Sequence, residues 1–125
     1  MNFQQFLHLL IDKMEQWKLD AFSHATKCQP FECCGILAKT KNKLEYWECK
    51  NVARNNPEYS FVIDPLDWAD CEDSVDKIVG IVHSHPDGDF KFSDNDIASC
   101  NYLDVPFYLV EPSTQSIIHI EPQEL

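Results

Sequence analysis

Residues 78–96 read IVGIVHSHPDGDFKFSDND. Ile78 to Ser84 is a nearly unbroken apolar run, as expected for a strand buried on both faces. His83 and His85 stand two apart at its end, so on an extended backbone both imidazoles project from the same face. Pro86 cannot donate to a sheet ladder, and it stops the strand and turns the chain. After a polar loop, Ser93 caps a helix predicted over about 94–103. Asp96 falls in the first turn of that helix, where its carboxylate can point back toward the strand end. The stretch is thus a buried strand, a loop and a helix, with two imidazoles and one carboxylate turned toward one another.

Outward from this unit the chain alternates between the two periodicities. Apolar residues at 3, 6, 7, 10, 14, 17, 21, 22 and 25 have helical spacing, predicting one long helix or two consecutive ones that end before Pro30. Residues 34–40 (CGILAKT) and 43–49 (KLEYWEC) read as two strands joined by a tight turn at Lys41 and Asn42. The segment NVARNNPE is loop-like, and 59–63 returns to strand character. Asp64-Pro65-Leu66-Asp67 starts a helix running to about Val75, with Asp64 as cap, Pro65 at the first position and Asp67 in the capping-box slot. Two final strands are predicted over 106–111 and 116–121. No repeat, low-complexity tract or linker interrupts the chain, so residues 1–125 read as a single α/β domain built around one central sheet.

The composition limits the function classes. At 125 residues the chain can bury roughly two-thirds of its unfolded surface in one core. A formal net charge of −11 argues against a nucleic-acid partner, which requires clustered Lys and Arg. No apolar run approaches the ~20 residues of a membrane span, and the opening residues lack the basic leader of a signal peptide. The six cysteines include no C-x-x-C pair and no export signal accompanies them, so they read as buried reduced thiols in a cytoplasmic protein.

Two imidazoles and a carboxylate make a three-ligand metal site. Zinc held by three protein ligands keeps its fourth position for water, the catalytic arrangement. Ser93 and Asp96 also read as an ordinary capping box with no metal involved. The full pattern H-x-H-P, six residues, then S-x-x-D arises by chance in roughly one chain in 10⁵ of this size, which favours the metal reading. His8, His24 and His119 read as surface or satisfied core residues. There is no H-E-x-x-H helix, and no H-x-E with a P-C-x-x-C partner as nucleobase deaminases require. A general base for the water is still needed, and a carboxylate outside the ligand set must supply it.

Together with Glu32 before the Cys-Gly strand, the pattern His83-x-His85-Pro86…Ser93-x-x-Asp96 resembles the JAMM motif of the MPN/JAB1 metalloprotease family. Likeness extends over HA at 24–25, PFECCGIL at 30–37, an Asn-containing loop, FVIDPLDW at 61–68, IVGIVHSHP at 78–86 and SDNDI at 93–97. The order of these blocks is most similar to short bacterial and phage JAB domains, in particular the N-terminal half of tail-assembly proteins of lambda-like phages. The first 15 or so residues read as a helical extension to that domain. The resemblance implies a single mixed β-sheet flanked by helices, the MPN/JAB (cytidine-deaminase-like) fold. It implies one Zn²⁺ ion bound by His83, His85 and Asp96, with Glu32 handling the water's proton and Ser93 stabilising the oxyanion. The implied substrate is a protein, ubiquitin-like with a Gly-Gly tail or a phage tail protein, cleaved at a peptide or isopeptide bond in the cytoplasm (the host's, for a phage protein). Segments 51–60 and 87–92 are the candidate substrate-contacting loops.

Two rival readings accompany this one. A binding or assembly module would keep the fold without turnover, although such relatives usually lose a ligand and every motif residue is present here. A peptidase acting on sulfur carriers or other ubiquitin-like proteins of a bacterial system would share the chemistry and differ only in partner. Within FECCGIL, the residue of interest is therefore Glu32, and Cys33 and Cys34 read as the start of the strand that holds it.

Overall fold

A computed structural model describes residues 1–123, and the side chains of residues 10–15 fall outside that description. Helix α1 (Phe3–Cys28) opens on a full capping box between Asn2 and Gln5. It is one helix rather than two. Its second half buries Trp17, Ala21, Phe22 and Ala25, a stripe that returns every three or four residues. Phe3, Phe6 and Leu9 in its first half are exposed, whereas Leu10 and Met14 of the predicted apolar spacing lie outside the described side chains.

Strands β1 (Cys34–Thr40) and β2 (Lys43–Cys49) form the predicted hairpin. Lys41 and Asn42 both have positive φ, which suits the right-handed twist of a two-residue turn. Helix α2 (Pro65–Ser74) is capped by Asp64, whose side chain accepts the Leu66 N–H. Strand β3 (Lys77–Ser84), helix α3 (Asp94–Leu103), and strands β4 (Phe107–Glu111) and β5 (Ser116–Ile120) complete the chain.

The five strands form a single mixed sheet in the order β2-β1-β3-β4-β5. Only β3 and β4 run parallel, and α3 joins them. The central strand β3 separates two cores by simple alternation. Val82 faces α1 together with Leu37, Tyr46 and Val110, while Ile81 faces the other side with Ile36, Cys71, Cys100 and Phe107. Each fully buried aliphatic side chain contributes roughly 1.5–3 kcal/mol to folding. Gly35 lets Tyr46 cross β1, because a Cβ there would meet the tyrosine ring at 2.4 Å. The tyrosine hydroxyl in turn lies 2.5 Å from His24 Nδ1.

Two expectations are corrected. Residues 59–63 are not a strand: a lone bridge between Asn51 and Ile63 marks the place. The Asn51 side chain takes up the Ser60 carbonyl and the Val62 N–H that a strand would offer to a ladder. Nor does Asp67 close a capping box on Asp64. Its carboxylate accepts the Lys50 N–H at 2.7 Å, while the Asp64 N–H is engaged by the Lys50 carbonyl. The short Asp side chain is thus drawn to the neighbouring chain instead of back along its own helix. Among the described residues no helix is long and apolar enough to cross a membrane.

Candidate metal centre

The site forms where β1, β3 and α3 meet. Cys34 lies opposite His83 in the antiparallel β1–β3 register. Continuing that register by two residues brings Glu32 level with His85. Strand pairing alone therefore carries a glutamate from far upstream to the side of the histidine pair. Helix α3 supplies the last group, since its capping box turns the Asp96 carboxylate back over the helix start. Ser93 N–H donates to Asp96 Oδ2 at 2.9 Å, and Asp96 N–H donates to Ser93 Oγ at 3.0 Å.

The four side chains converge. Ligating atoms of Glu32, His83 and His85 lie within 4.8 Å of one another. Asp96 Oδ1 is 3.2 Å from His83 Nε2, and Asp96 Oδ2 is 3.2 Å from His85 Nε2. Glu32 Oε1 is further out, 4.0 Å from His85 Nε2. Two atoms bonded to one tetrahedral ion at about 2.0–2.1 Å stand about 3.3 Å apart, a spacing that each Asp96 oxygen has from one imidazole and that a direct ion pair also gives. The buried rings fit as well. His83 is fully buried with neither ring nitrogen hydrogen-bonded. Leaving a buried polar group unpaired costs about 1–3 kcal/mol; an ion would relieve it at Nε2, which faces Asp96 Oδ1, and leave Nδ1 as it is.

His85 is set up differently. Its Nδ1 lies 2.9 Å from the Asp89 carbonyl, and a carbonyl only accepts, so Nδ1 carries a proton and Nε2 is the nitrogen left for the site, where it faces Asp96 in the metal-free protein and would offer its lone pair to an ion. The loop after β3 is built for this contact. Gly88 N–H closes a turn onto the His85 carbonyl, Gly88 itself has φ +84°, and Asp87 caps the Asp89 N–H. Phe61, Phe92 and Phe107 surround His83 with ring centroids at 4.9, 6.0 and 6.0 Å, walling one side of the site against water.

Electrostatics separate the two carboxyls. Burial pushes Glu32 up; His85 opposes this and the nearby Asp96 and Asp87 add to it, leaving its pKa at about 7. Burial by itself would raise Asp96 too, but the His83 and His85 rings and the Ser93 N–H hold it well below the usual carboxylate range. For His85, burial favours the neutral ring, yet Asp96, the Asp89 carbonyl and Glu32 prevail and raise its pKa to about 9. Two carboxyls with pKa values driven apart in one cleft are a mark of acid–base sites. By contrast, burial pushes the Cys33 and Cys49 thiols up to about 12 and raises Cys34 as well. All six cysteines are free thiols, and a thiolate at Cys34 is disfavoured.

The five predicted residues thus lie in one region of the fold: Asp96 3.2 Å from each imidazole, Glu32 4.0 Å from His85, and Ser93 as the exposed cap of α3. Several supporting residues escaped the sequence reading. Ser84, between the two histidines, accepts the Cys33 N–H with its Oγ and donates its N–H to the Cys33 carbonyl, pinning the residue after Glu32 to β3. Phe61 and Phe92 carry no periodic signal. Asn51, in a segment expected to touch substrate, donates instead to the Glu32 carbonyl at 3.1 Å.

Comparison with known proteins agrees with this geometry. The profile of prokaryotic homologs of the JAB domain matches residues 14–119. Tail tip assembly protein K of Escherichia phage N15 is 34% identical over 111 residues. That alignment covers 88% of this chain but 45% of the phage protein, so the chain spans less than half the length of this relative. Among solved structures, the solution structure of protein DSY2949 from Desulfitobacterium hafniense shares the fold. Its TM-score is 0.66 at 18% identity, covering 85% of this chain and 78% of that one.

Proposed function

The chain belongs to the family of prokaryotic homologs of the JAB domain, and from that premise we propose that it is a zinc metallopeptidase hydrolysing amide bonds. His83, His85 and Asp96 hold the ion, and Glu32 stands outside the ligand set. One observation carries this division of labour: the two carboxylates lie at different distances from His85 Nε2, 3.2 Å for Asp96 and 4.0 Å for Glu32. The nearer has the spacing of a fellow ligand, and the farther leaves room for a proton-bearing atom between.

When bound, zinc supplies a Lewis acid that lowers the pKa of its water to about 7. Glu32, whose burial disfavours its charged form in the metal-free site, is placed to accept the nucleophile's proton and to return it to the departing amine, which must leave protonated. The Ser93 hydroxyl accepts the Asp96 N–H through a lone pair, leaving its O–H to donate to the developing oxyanion. Asp89 keeps His85 in its ligating tautomer, and Phe61 and Phe92 keep water from the far side of His83. The substrate in this reading is a protein, ubiquitin-like with a Gly-Gly tail or a phage tail protein, met in the cytoplasm.

The name of the phage N15 relative favours a second reading, a module that binds tail proteins during tail-tip assembly without turnover. A zinc assay paired with a cleavage screen separates the two. The screen uses ubiquitin-like proteins bearing Gly-Gly extensions and phage tail proteins, against wild type and Glu32→Gln. The peptidase reading expects cleavage by wild type and a loss of at least ~10²-fold in Glu32→Gln with zinc retained. Near-wild-type turnover in Glu32→Gln removes Glu32 from the mechanism, and binding without cleavage favours the assembly module.

A further inference from the structure

The main chain of Glu32 is gripped by the loop between β2 and α2, and one side chain organises that grip. Asn51 Nδ2 donates to the carbonyls of Glu32 at 3.1 Å, Ser60 at 3.0 Å and Pro57 at 3.4 Å. Its Oδ1 accepts the N–H groups of Ala53 at 3.0 Å and Val62 at 3.1 Å. The loop then returns the contact, because the Glu32 N–H donates to the Pro57 carbonyl at 2.9 Å. Both polar groups of the Glu32 main chain therefore end on this loop, while the next residue, Cys33, is fastened to β3 through Ser84.

From this we propose that Asn51 is the positioning residue for Glu32, fixing its carboxylate opposite His85 through the main chain. The proposal rests on the reading of Glu32 as the acid–base group. Asparagine suits the task because a short amide supplies two donors and an acceptor at once. An aspartate would set a carboxylate against three carbonyl oxygens, and a serine is too small to span both sides of the loop. Asn51 makes no hydrogen bond to His83, His85 or Asp96, and its one link toward them is through Ser60 and Val62, which flank the Phe61 ring packed on His83. A misplacement of the carboxylate by about 1 Å is enough to cost ~10²-fold in rate.

A double-mutant cycle with amide exchange tests this. Asn51→Ala should keep stoichiometric zinc, lose at least tenfold in kcat and change KM by less than about threefold. Introduced into Glu32→Gln, the same substitution should cost almost nothing more, because residues acting through one group are not additive. Independently of activity, the Glu32 amide in Asn51→Ala should exchange at least tenfold faster, with β3 amides unchanged. Multiplicative losses in the cycle, or unchanged exchange at Glu32, overturn the proposal. Should Asn51→Ala fail to fold, Asn51→Ser is put through the same measurements, and loss of the fold in both makes Asn51 a structural residue and also overturns it. A wild-type protein that holds zinc without turnover contradicts the peptidase reading instead, and exchange at the Glu32 amide then decides the role of Asn51.

Discussion

Glu32 is buried where its charge is disfavoured, and that placement has a stability consequence separable from catalysis. Folding raises its pKa from 4.5 to about 7 in the metal-free site. Between those values the native protein keeps a proton that the unfolded chain has released, so stability falls as pH climbs through the window. At 1.36 kcal/mol per pKa unit, the loss has a ceiling of about 3 kcal/mol. Glu32→Gln carries no charge at any pH. In chelator-treated protein its Tm should match wild type near pH 4.5 and exceed it by several degrees above about pH 7. A difference that stays constant across this range contradicts the burial account. The histidine pair was legible from sequence alone, because a spacing of two on a buried strand leaves little freedom. Glu32 was not, since only the β1–β3 register carries it to the site, and it came into view through family resemblance.

At the scale of elements, α3 bears two duties on one capping box. Ser93 satisfies the Asp96 N–H while Asp96 satisfies the Ser93 N–H, so the cap that starts the helix also aims the Asp96 carboxylate at the two imidazoles. This makes the structural and catalytic roles of Ser93 separable by choice of substitution. Glycine is nearly as good an N-cap as serine, costing a few tenths of a kcal/mol, but has no O–H. Ser93→Gly should therefore keep its Tm and zinc while kcat falls by ~10²-fold, with Ser93→Thr restoring activity. Wild-type kcat in Ser93→Gly would reduce Ser93 to a cap. The helices and core strands were legible because period and caps agreed along most of the chain. Residues 59–63 were not, because the Asn51 side chain, nine and eleven positions away, claims the Ser60 carbonyl and Val62 N–H that strand propensity promised to a neighbour. The same effect hid the role of Asn51, whose contacts exist only once the loop has closed on Glu32.

Across the whole molecule, the mixed sheet divides two kinds of burial. On the α1 side β3 faces aliphatic and aromatic packing; on the other, the same strand ends in an imidazole with no hydrogen bond among three phenylalanine rings. That arrangement on the central strand fits the proposed ion. The cysteines, conspicuous in the sequence, are reduced thiols, five of them buried. The zinc content of wild type, Glu32→Gln and Asp96→Asn, measured by elemental analysis on identically purified protein, tests the central claim most directly. Wild type and Glu32→Gln should each hold one zinc per chain, and Asp96→Asn little or none. Zinc lost from Glu32→Gln but kept by Asp96→Asn would contradict it, making Glu32 the ligand and leaving the site without its base.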